Sequence, residues 1–210
     1  MVKIKICGIT NNEDACAAAY SGADAVGFVF YEKSARAVSV EQAAAIIKTL
    51  PPFITIVGVF VNERPEKILS IADKTGLNCI QLHGDETPDI SAQLSALTSR
   101  KIIKALRVRS EADLNGIKDY KASAVLLDAY KDASYGGTGE LFNWNIAKAF
   151  NSKGDCQVIL SGGLTPENVA EAIRLVRPYA VDVSSGVERE PGKKDSQKIK
   201  RFIEQAKGVK

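Results

Sequence analysis

The sequence predicts an α/β fold, a (β/α)8 barrel in which residues 1–210 form a single compact domain. The first indication is a recurring unit: a short run of branched apolar residues, a polar or glycine-containing turn, and an amphipathic helical pattern. The second is that eight such units follow one another without a linker, and eight parallel strands with right-handed crossovers close naturally into a barrel. An open doubly wound sheet is the alternative. It is disfavoured because the first turn, Cys7-Gly8-Ile9-Thr10, lacks the glycine-rich dinucleotide fingerprint.

The elements of each unit can be placed from local residue patterns. Branched apolar residues predict strands over residues 2–7, 25–30, 54–61, 79–83, 101–108, 124–128, 157–161 and 180–184. A helix is expected after every strand. The helix starts are marked by capping boxes at Thr10 with Glu13 and at Ser39 with Gln42, by Thr87-Pro88 and Thr165-Pro166, and by Asp195 before a last helix over residues 196–206.

Composition limits the classes of function. A chain of 210 residues with 45% hydrophobic residues is long enough for one substantial core, and it contains no long apolar segment. We therefore expect a cytoplasmic protein without a membrane partner. The mild net charge of +3 and scattered lysines give no support to nucleic-acid binding, and they suit a small anionic substrate better. The four cysteines are widely spread without a CxxC pair, which predicts free thiols and no metal site; they are Cys7, Cys16, Cys79 and Cys156.

The first strand carries the most informative side chain of the chain. Its residues alternate, so Ile4 and Ile6 share one face while Lys5 and Cys7 share the other. Cys7 comes last in the strand, and Gly8 lets the backbone turn after it. A thiol at such a strand-to-helix corner is a candidate reactive group, and the alternative is a small buried packing residue.

Residues after the carboxyl ends of barrel strands can be pooled, because the loops there form the active site of such barrels. The pooled residues are Cys7, Arg36, Gln81, His83, Arg107, Asp128, Gly162, Gly163, Ser185 and Gly186. The late loops are rich in glycine, with Gly137 and Gly139 in the first of them. Glycines allow backbone N–H groups to approach an anion, and barrels bind phosphate after strands seven and eight. We therefore predict a phosphate site formed by these late loops.

Several segments in this order resemble the phosphoribosylanthranilate isomerases of tryptophan biosynthesis, over nearly the full length of the chain. These segments are KICGIT at 5–10, GADAVGFVF at 22–30, VGVFVNE at 57–63, QLHG at 81–84, LLD at 126–128, SGGLTPENV at 161–169, and AVDVSSGVE followed by PGKKD. The resemblance implies an Amadori rearrangement of N-(5-phosphoribosyl)anthranilate to 1-(2-carboxyphenylamino)-1-deoxyribulose 5-phosphate. It also implies that no metal or organic cofactor takes part.

The resemblance further implies roles for three residues. Cys7 would be the general base, Asp128 the general acid, and Arg36 the partner of the anthranilate carboxylate. The chain departs from the family pattern at Ala37, where a tyrosine is expected after the arginine. A free thiol has a pKa of about 8.5, so we expect a cation or backbone donors to lower the pKa of Cys7.

The remaining polar residues of the predicted strands receive supporting roles. Lys5 points into the barrel and needs a partner there, and Asp182 on the neighbouring eighth strand is the predicted one. His83 is expected to shape the pocket by hydrogen bonding with Gln81 rather than to transfer protons.

Three other functions are compatible with a phosphate-binding barrel. A histidine-pathway aminoaldose isomerase would, by resemblance, need aspartates after strands one and five, and the synthase that follows in the tryptophan pathway would need a lysine and glutamates. A non-catalytic barrel that binds a phosphosugar is the third, and the presence of both Cys7 and Asp128 argues against it. The expected partner is a small phosphosugar, and the chain is expected to be a monomer or a homodimer.

Overall fold

The computed structural model describes residues 1–129, 144–154 and 156–209, and it is a closed barrel of eight parallel strands. The strands pair in chain order, and β1 pairs with β8 to complete the ring. They are β1 Lys3–Cys7, β2 Ala25–Val29, β3 Thr55–Phe60, β4 Cys79–Leu82, β5 Lys101–Val108, β6 Ala124–Ala129, β7 Gln157–Leu160 and β8 Ala180–Val183. The predicted (β/α)8 fold is confirmed, and every predicted strand end lies within one residue of the observed one.

Seven α-helices cover the outside of the described part of the barrel. They are α1 Asn12–Ser21, α2 Val40–Ile47, α3 Pro65–Thr75, α4 Pro88–Leu97, α5 Trp144–Asn151, α6 Val169–Val176 and α7 Ser196–Lys207. The prediction of a helix between β5 and β6 is wrong, because two short 3₁₀ turns, Glu111–Leu114 and Ile117–Asp119, lie there instead. Gly116 separates the two turns with a left-handed backbone (φ 72°), which an α-helix does not accommodate.

The predicted helix starts are partly confirmed. Ser39 and Asp195 cap α2 and α7 through their side chains, and Pro88 occupies the first turn of α4. Two starts differ, at Thr10 and Thr165. Asn11 caps α1 instead of Thr10, whose hydroxyl donates to the carbonyl of Gly192. The helix α6 begins at Val169 because the Asn168 side chain holds a non-helical turn by bonding Thr165 N and Gly163 O.

Two apolar layers stabilise the barrel. The inner layer is formed by strand residues that point towards the axis, namely Val57, Cys79, Ile103, Ala105, Ala124, Leu126, Ile159 and Ala180. The larger outer layer packs between strands and helices, and it includes Ile4 and Ile6 as the alternation of the first strand predicted. Lys5 and Cys7 consequently face the interior, where both are buried. In the part of the chain that the structure describes, no helix is long and apolar enough to cross a membrane.

A short hairpin after β8 was not predicted. Its strands, β9 Glu188–Glu190 and β10 Lys193–Lys194, pair antiparallel. The hairpin buries Glu188 and Lys194 and leaves Glu190 and Lys193 exposed. Two charged side chains are thereby placed beneath the loops at the carboxyl end of the barrel.

Candidate active site

A cavity at the carboxyl ends of the strands brings together most of the predicted site residues. Cys7 at the end of β1 and Asp128 near the end of β6 both line it, together with Arg36 and His83. Cys7 and Asp128 are 8% and 6% exposed. The two candidate acid–base groups therefore reach one cavity from separate strands of the barrel. This is the arrangement that the pooled strand ends predicted.

A buried ion pair lies beside Cys7 in the barrel interior. Lys5 Nζ lies 2.9 Å from Asp182 Oδ1, and the two residues are register partners on β1 and β8, as predicted. Burial opposes the charge on Lys5, but Asp182 and the nearby Cys7 outweigh it and raise the pKa of Lys5. Asp182 also contacts Ser161 Oγ at 3.5 Å and lines the cavity itself. The lysine thus places a positive charge next to Cys7.

The expectation that the pKa of Cys7 is lowered is wrong. Burial raises the pKa of the thiol, and the positive charges of Lys5 and Lys194 offset this effect only in part, while Asp182 adds to it. Gly27 on the neighbouring strand β2 leaves room for this group, since a Cβ there would lie 2.8 Å from Cys7 Sγ. The thiol is therefore packed tightly, and its burial opposes ionisation while the two lysines favour it.

His83 connects β4 to Asp128. Gln81 Nε2 and His83 Nδ1 are 2.8 Å apart, so the predicted hydrogen bond between them is present. Because an amide nitrogen donates, Nδ1 accepts, and the ring hydrogen of a neutral His83 lies on Nε2. That nitrogen is 3.4 Å from Asp128 Oδ2 and has no hydrogen-bond partner among the described residues. The sequence did not reveal this approach to Asp128, because it depends on how far the loop after β4 turns inward.

A second cavity adjoins the first and collects the predicted phosphate-binding residues. Gly162, Gly163, Ser185 and Gly186 line it, and it shares Asp128 with the first cavity. The backbone at Gly162 and Gly163 is left-handed, with φ of 81° and 71°. Glycine adopts these angles without strain, and it leaves the backbone N–H groups of the turn without side-chain obstruction, as an anion site requires. The predicted residues Gly137 and Gly139 lie outside the described residues.

Arg36 lines the first cavity but is also engaged by a residue that the sequence analysis did not assign. Its Nε and Nη2 donate to Oε1 and Oε2 of Glu188 at 2.8 and 2.6 Å. Lys194 Nζ donates to the same Glu188 Oε1 at 2.8 Å. Gly8 allows this arrangement, because a Cβ there would lie 2.5 Å from Arg36 Cδ. The signal for Glu188 and Lys194 was the SSGVE…PGKKD segment, but the contact of this segment with Arg36 is a tertiary feature.

No group of three or more His, Cys, Asp or Glu side chains in residues 1–129, 144–154 and 156–209 is arranged to hold a metal ion. The four cysteines are free thiols, as predicted, with Cys7 and Cys79 buried and Cys16 and Cys156 half-buried. Arg107, the other pooled strand-end cation, pairs with Asp85.

Comparison with known proteins identifies the family. The model of the family described as N-(5'-phosphoribosyl)anthranilate (PRA) isomerase matches residues 4–205. The chain belongs to the phosphoribosylanthranilate isomerase family. It is therefore an isomerase of tryptophan biosynthesis, as the motifs predicted.

Individual isomerases resemble the chain over its whole length. The N-(5'-phosphoribosyl)anthranilate isomerase of Trichlorobacter lovleyi is 54% identical over 207 residues, which are 99% of this chain and 98% of the relative. A phosphoribosyl anthranilate isomerase solved with reduced 1-(o-carboxyphenylamino)-1-deoxyribulose 5-phosphate is 48% identical with a TM-score of 0.88, and both chains are covered completely. Monomers generated from the dimeric isomerase of Thermotoga maritima are 46% identical, with a TM-score of 0.87 and complete coverage of both chains.

Proposed function

We propose that Cys7 and Asp128 are the general base and general acid with which this chain converts N-(5-phosphoribosyl)anthranilate to 1-(2-carboxyphenylamino)-1-deoxyribulose 5-phosphate. The observation that supports these roles is that both side chains line one cavity between a glycine-lined anion site and the guanidinium of Arg36. Each part of the substrate then has a partner of suitable chemistry. The glycine-lined site suits the phosphate, Cys7 and Asp128 suit the reacting sugar, and Arg36 suits the carboxylate.

The proposed reaction needs one acid and one base. Asp128 in its protonated form gives a proton to the ribose ring oxygen as the ring opens to a Schiff base. Cys7, ionised to the thiolate for this step with the help of the positive charges of Lys5 and Lys194, then takes the proton from the second carbon of the sugar, and the resulting enolamine tautomerises to the aminoketose. His83 Nε2, which faces Asp128 at 3.4 Å, is proposed to hydrogen-bond the reacting region together with Gln81 rather than to carry a proton.

The phosphate and the carboxylate orient the substrate in this proposal. The phosphate accepts hydrogen bonds from the backbone N–H groups of Gly162, Gly163, Ser185 and Gly186. Gly137 and Gly139 are proposed to contribute to the same site. A guanidinium binds a planar carboxylate with two parallel hydrogen bonds, which suits Arg36 to the anthranilate end. No metal or organic cofactor is part of the proposed reaction.

The test is loss of substrate fluorescence when the purified protein meets freshly generated phosphoribosylanthranilate. We expect turnover by the wild type and a fall in kcat by a factor of about 10² to 10⁴ in Cys7→Ala and in Asp128→Asn. Cys79→Ala is the matched control, because Cys79 is also a buried thiol of the barrel interior but lies away from this cavity. It should retain the wild-type kcat.

Each other outcome contradicts a specific part of the proposal. Full activity in either variant would show that the residue role is wrong while the reaction stands. Binding of a phosphosugar without turnover by the wild type would favour a non-catalytic barrel, and turnover of another aminoaldose alone would favour a related isomerase.

For the assembly we propose a homodimer, with monomer as the alternative. The side chain of Phe53 is fully exposed, and Phe53 and Tyr179 line an opening at the amino-terminal end of the barrel. Exposed aromatic groups at one face are typical of an interface. Sedimentation should give a dimer for the wild type and a monomer for Phe53→Asp, and a monomeric wild type would contradict the proposal.

We propose that the protein is located in the cytoplasm. The four free thiols support this compartment, because cysteines stay reduced there.

A further inference from the structure

The guanidinium of Arg36 uses only part of its hydrogen-bonding capacity for Glu188. Nε and Nη2 bind the two oxygens of Glu188 side by side, at 2.8 and 2.6 Å. A guanidinium carries five N–H groups, so Nη1 and one hydrogen of Nη2 remain for a second carboxylate. No described residue bonds this second edge of Arg36, and the side chain lines the cavity that holds Cys7 and Asp128. Glu188 therefore fixes the orientation of Arg36 but does not occupy it completely.

An Arg–Glu pair alone would be a poor receptor for a carboxylate. Its net charge is zero, and an incoming carboxylate would lie close to the like charge of Glu188. Because the side chains of Arg36 and Glu188 are only 14% and 5% exposed, water screens this repulsion weakly. A further positive charge is needed if the site is to attract an anion.

Lys194 supplies that charge. Its ammonium is completely buried and lies 2.8 Å from Glu188 Oε1. It also approaches two atoms of Ser184, the carbonyl oxygen at 3.2 Å and the hydroxyl at 3.4 Å. Three acceptors for three hydrogens are the arrangement expected of a protonated lysine. Burial lowers the pKa of Lys194, and Glu188 counteracts this effect. The cluster of Arg36, Glu188 and Lys194 thus carries one excess positive charge.

We infer that Lys194 is a specificity-determining residue, which cancels the charge of Glu188 so that Arg36, held in place by Glu188, can bind the carboxylate of the substrate. The inference rests on the proposed function, and it assigns to Lys194 the preference for a ring with an ortho carboxylate. Lys194 does not touch the substrate in this scheme, so it acts as a positioning and charge-balancing residue.

The hairpin itself offers matched controls. Lys193 and Glu190 form the equivalent pair on its outer face, 2.7 Å apart, and both side chains are more than half exposed. Lys194 is in addition anchored through its backbone N–H, which donates to Asp14 Oδ2 at 2.8 Å. A side-chain substitution at Lys194 leaves this backbone contact possible. Lys193→Met therefore removes a neighbouring lysine of the same hairpin without changing the buried cluster.

The experiment compares two inhibitors by calorimetric titration. One is the secondary amine made by reducing the adduct of ribose 5-phosphate with anthranilate, and the other is made with aniline and lacks the carboxylate. For Lys194→Met we expect the affinity for the anthranilate derivative to fall at least about tenfold, the size of one charged hydrogen bond, while the affinity for the aniline derivative changes less than about threefold. Lys193→Met should bind both inhibitors like the wild type.

Two further variants separate charge from packing. Lys194→Gln keeps a polar side chain and should give the same pattern as Lys194→Met. If one of the two variants is not folded, as judged by cooperative unfolding, the other still tests the inference. Adding Glu188→Gln to Lys194→Met restores the net positive charge, and the affinity for the anthranilate derivative should recover at least about threefold.

The inference is overturned if the folded lysine variants lose affinity for both inhibitors equally, if they lose it for neither, or if the double variant does not recover. Failure of the proposed function is a separate result. It would appear as a wild type that does not turn over phosphoribosylanthranilate, whereas the ratio of the two affinities is measured without turnover.

Discussion

Cys7 illustrates how burial and charge compete at a single residue. Burial raises the pKa of its thiol, and Lys5 and Lys194 only partly reverse the effect. The pKa therefore stays above the ordinary value of about 8.5, and at neutral pH Cys7 is mainly protonated. We expect the ultraviolet absorbance of the thiolate, taken as the difference between wild type and Cys7→Ala, to develop only above about pH 8.5. A midpoint below that value would show that the cations outweigh burial.

Gly27 is predicted to set the position of the thiol. A methyl group at this residue would meet Cys7 Sγ at 2.8 Å and Lys5 Cε at 3.2 Å, so the thiol would have to move from its position. Gly27→Ala should therefore lower kcat at least about tenfold and destabilise the fold by about 1–3 kcal/mol. Steady-state kinetics and urea unfolding measure the two effects.

The control for this substitution is Gly58→Ala on β3. A Cβ at Gly58 would meet Leu77 and Phe60, which belong to the outer apolar layer. This variant should lose stability but keep its kcat. Equal losses of kcat in both variants would mean that overpacking alone, and not displacement of the thiol, explains the effect of Gly27→Ala.

The sequence revealed those site contacts that follow from strand geometry. Lys5 and Asp182 could be paired because alternation places both inside and the ring order makes β1 and β8 neighbours. The contacts of Glu188 with Arg36 and with Lys194 could not be predicted, since the first requires a hairpin after β8 to fold back onto a loop after β2. The contacts of His83 were predictable only in part. Its hydrogen bond to Gln81 is local in the sequence, whereas its approach to Asp128 joins the ends of two separate strands.

At the scale of elements, the connection between β5 and β6 is the main departure from the regular pattern. Short 3₁₀ turns replace the expected helix, and Lys104 on β5 points outward into this region. Its ammonium is buried, 2.7 Å from Glu86 Oε2 and 2.7 Å from Gly84 O, and it lies 5.7 Å from the ring centre of Tyr120. A polar cluster therefore takes the place that apolar helix packing has elsewhere.

We predict that Lys104→Met destabilises the protein by about 3–5 kcal/mol, because it leaves Glu86 as an unpaired buried charge. Glu86 also accepts the backbone N–H groups of Asn62 and Gly84, so the loop after β4 should loosen with it. Urea unfolding measures the loss. Lys101→Met removes an exposed lysine from the same strand and should change little, and similar losses in the two variants would refute the structural role of the buried pair.

Strands were predictable to within one residue because each is a short apolar run between polar turns. The starts of the helices were harder to predict than the strands. Thr10 and Asn11 can both cap α1, and the hydroxyl of Thr10 is bound by the distant carbonyl of Gly192, so Asn11 is the residue that caps the helix. The missing helix could not be foreseen because apolar residues such as Leu114 and Ile117 are spaced as in a helix, and both are buried by the 3₁₀ turns.

At the scale of the whole molecule, the barrel closes where residues 177 positions apart meet. Lys5 and Asp182 join β1 to β8 in the interior. Lys3, at the amino-terminal opening of the barrel, lies 2.8 Å from Asp24 in the loop before β2. The two ion pairs have nearly equal lengths but opposite exposure. They therefore allow the effect of burial on a salt bridge to be measured within one fold.

We predict that Lys5→Met lowers the free energy of unfolding by about 3–5 kcal/mol, because Asp182 is left charged inside the barrel. Lys3→Met should have little effect, since its partner can be solvated. Replacing both buried charges, with Lys5→Met and Asp182→Leu together, should restore most of the stability, although activity will be lost. If the double variant is as unstable as Lys5→Met alone, the pair closes the barrel through specific hydrogen bonds that apolar packing cannot replace.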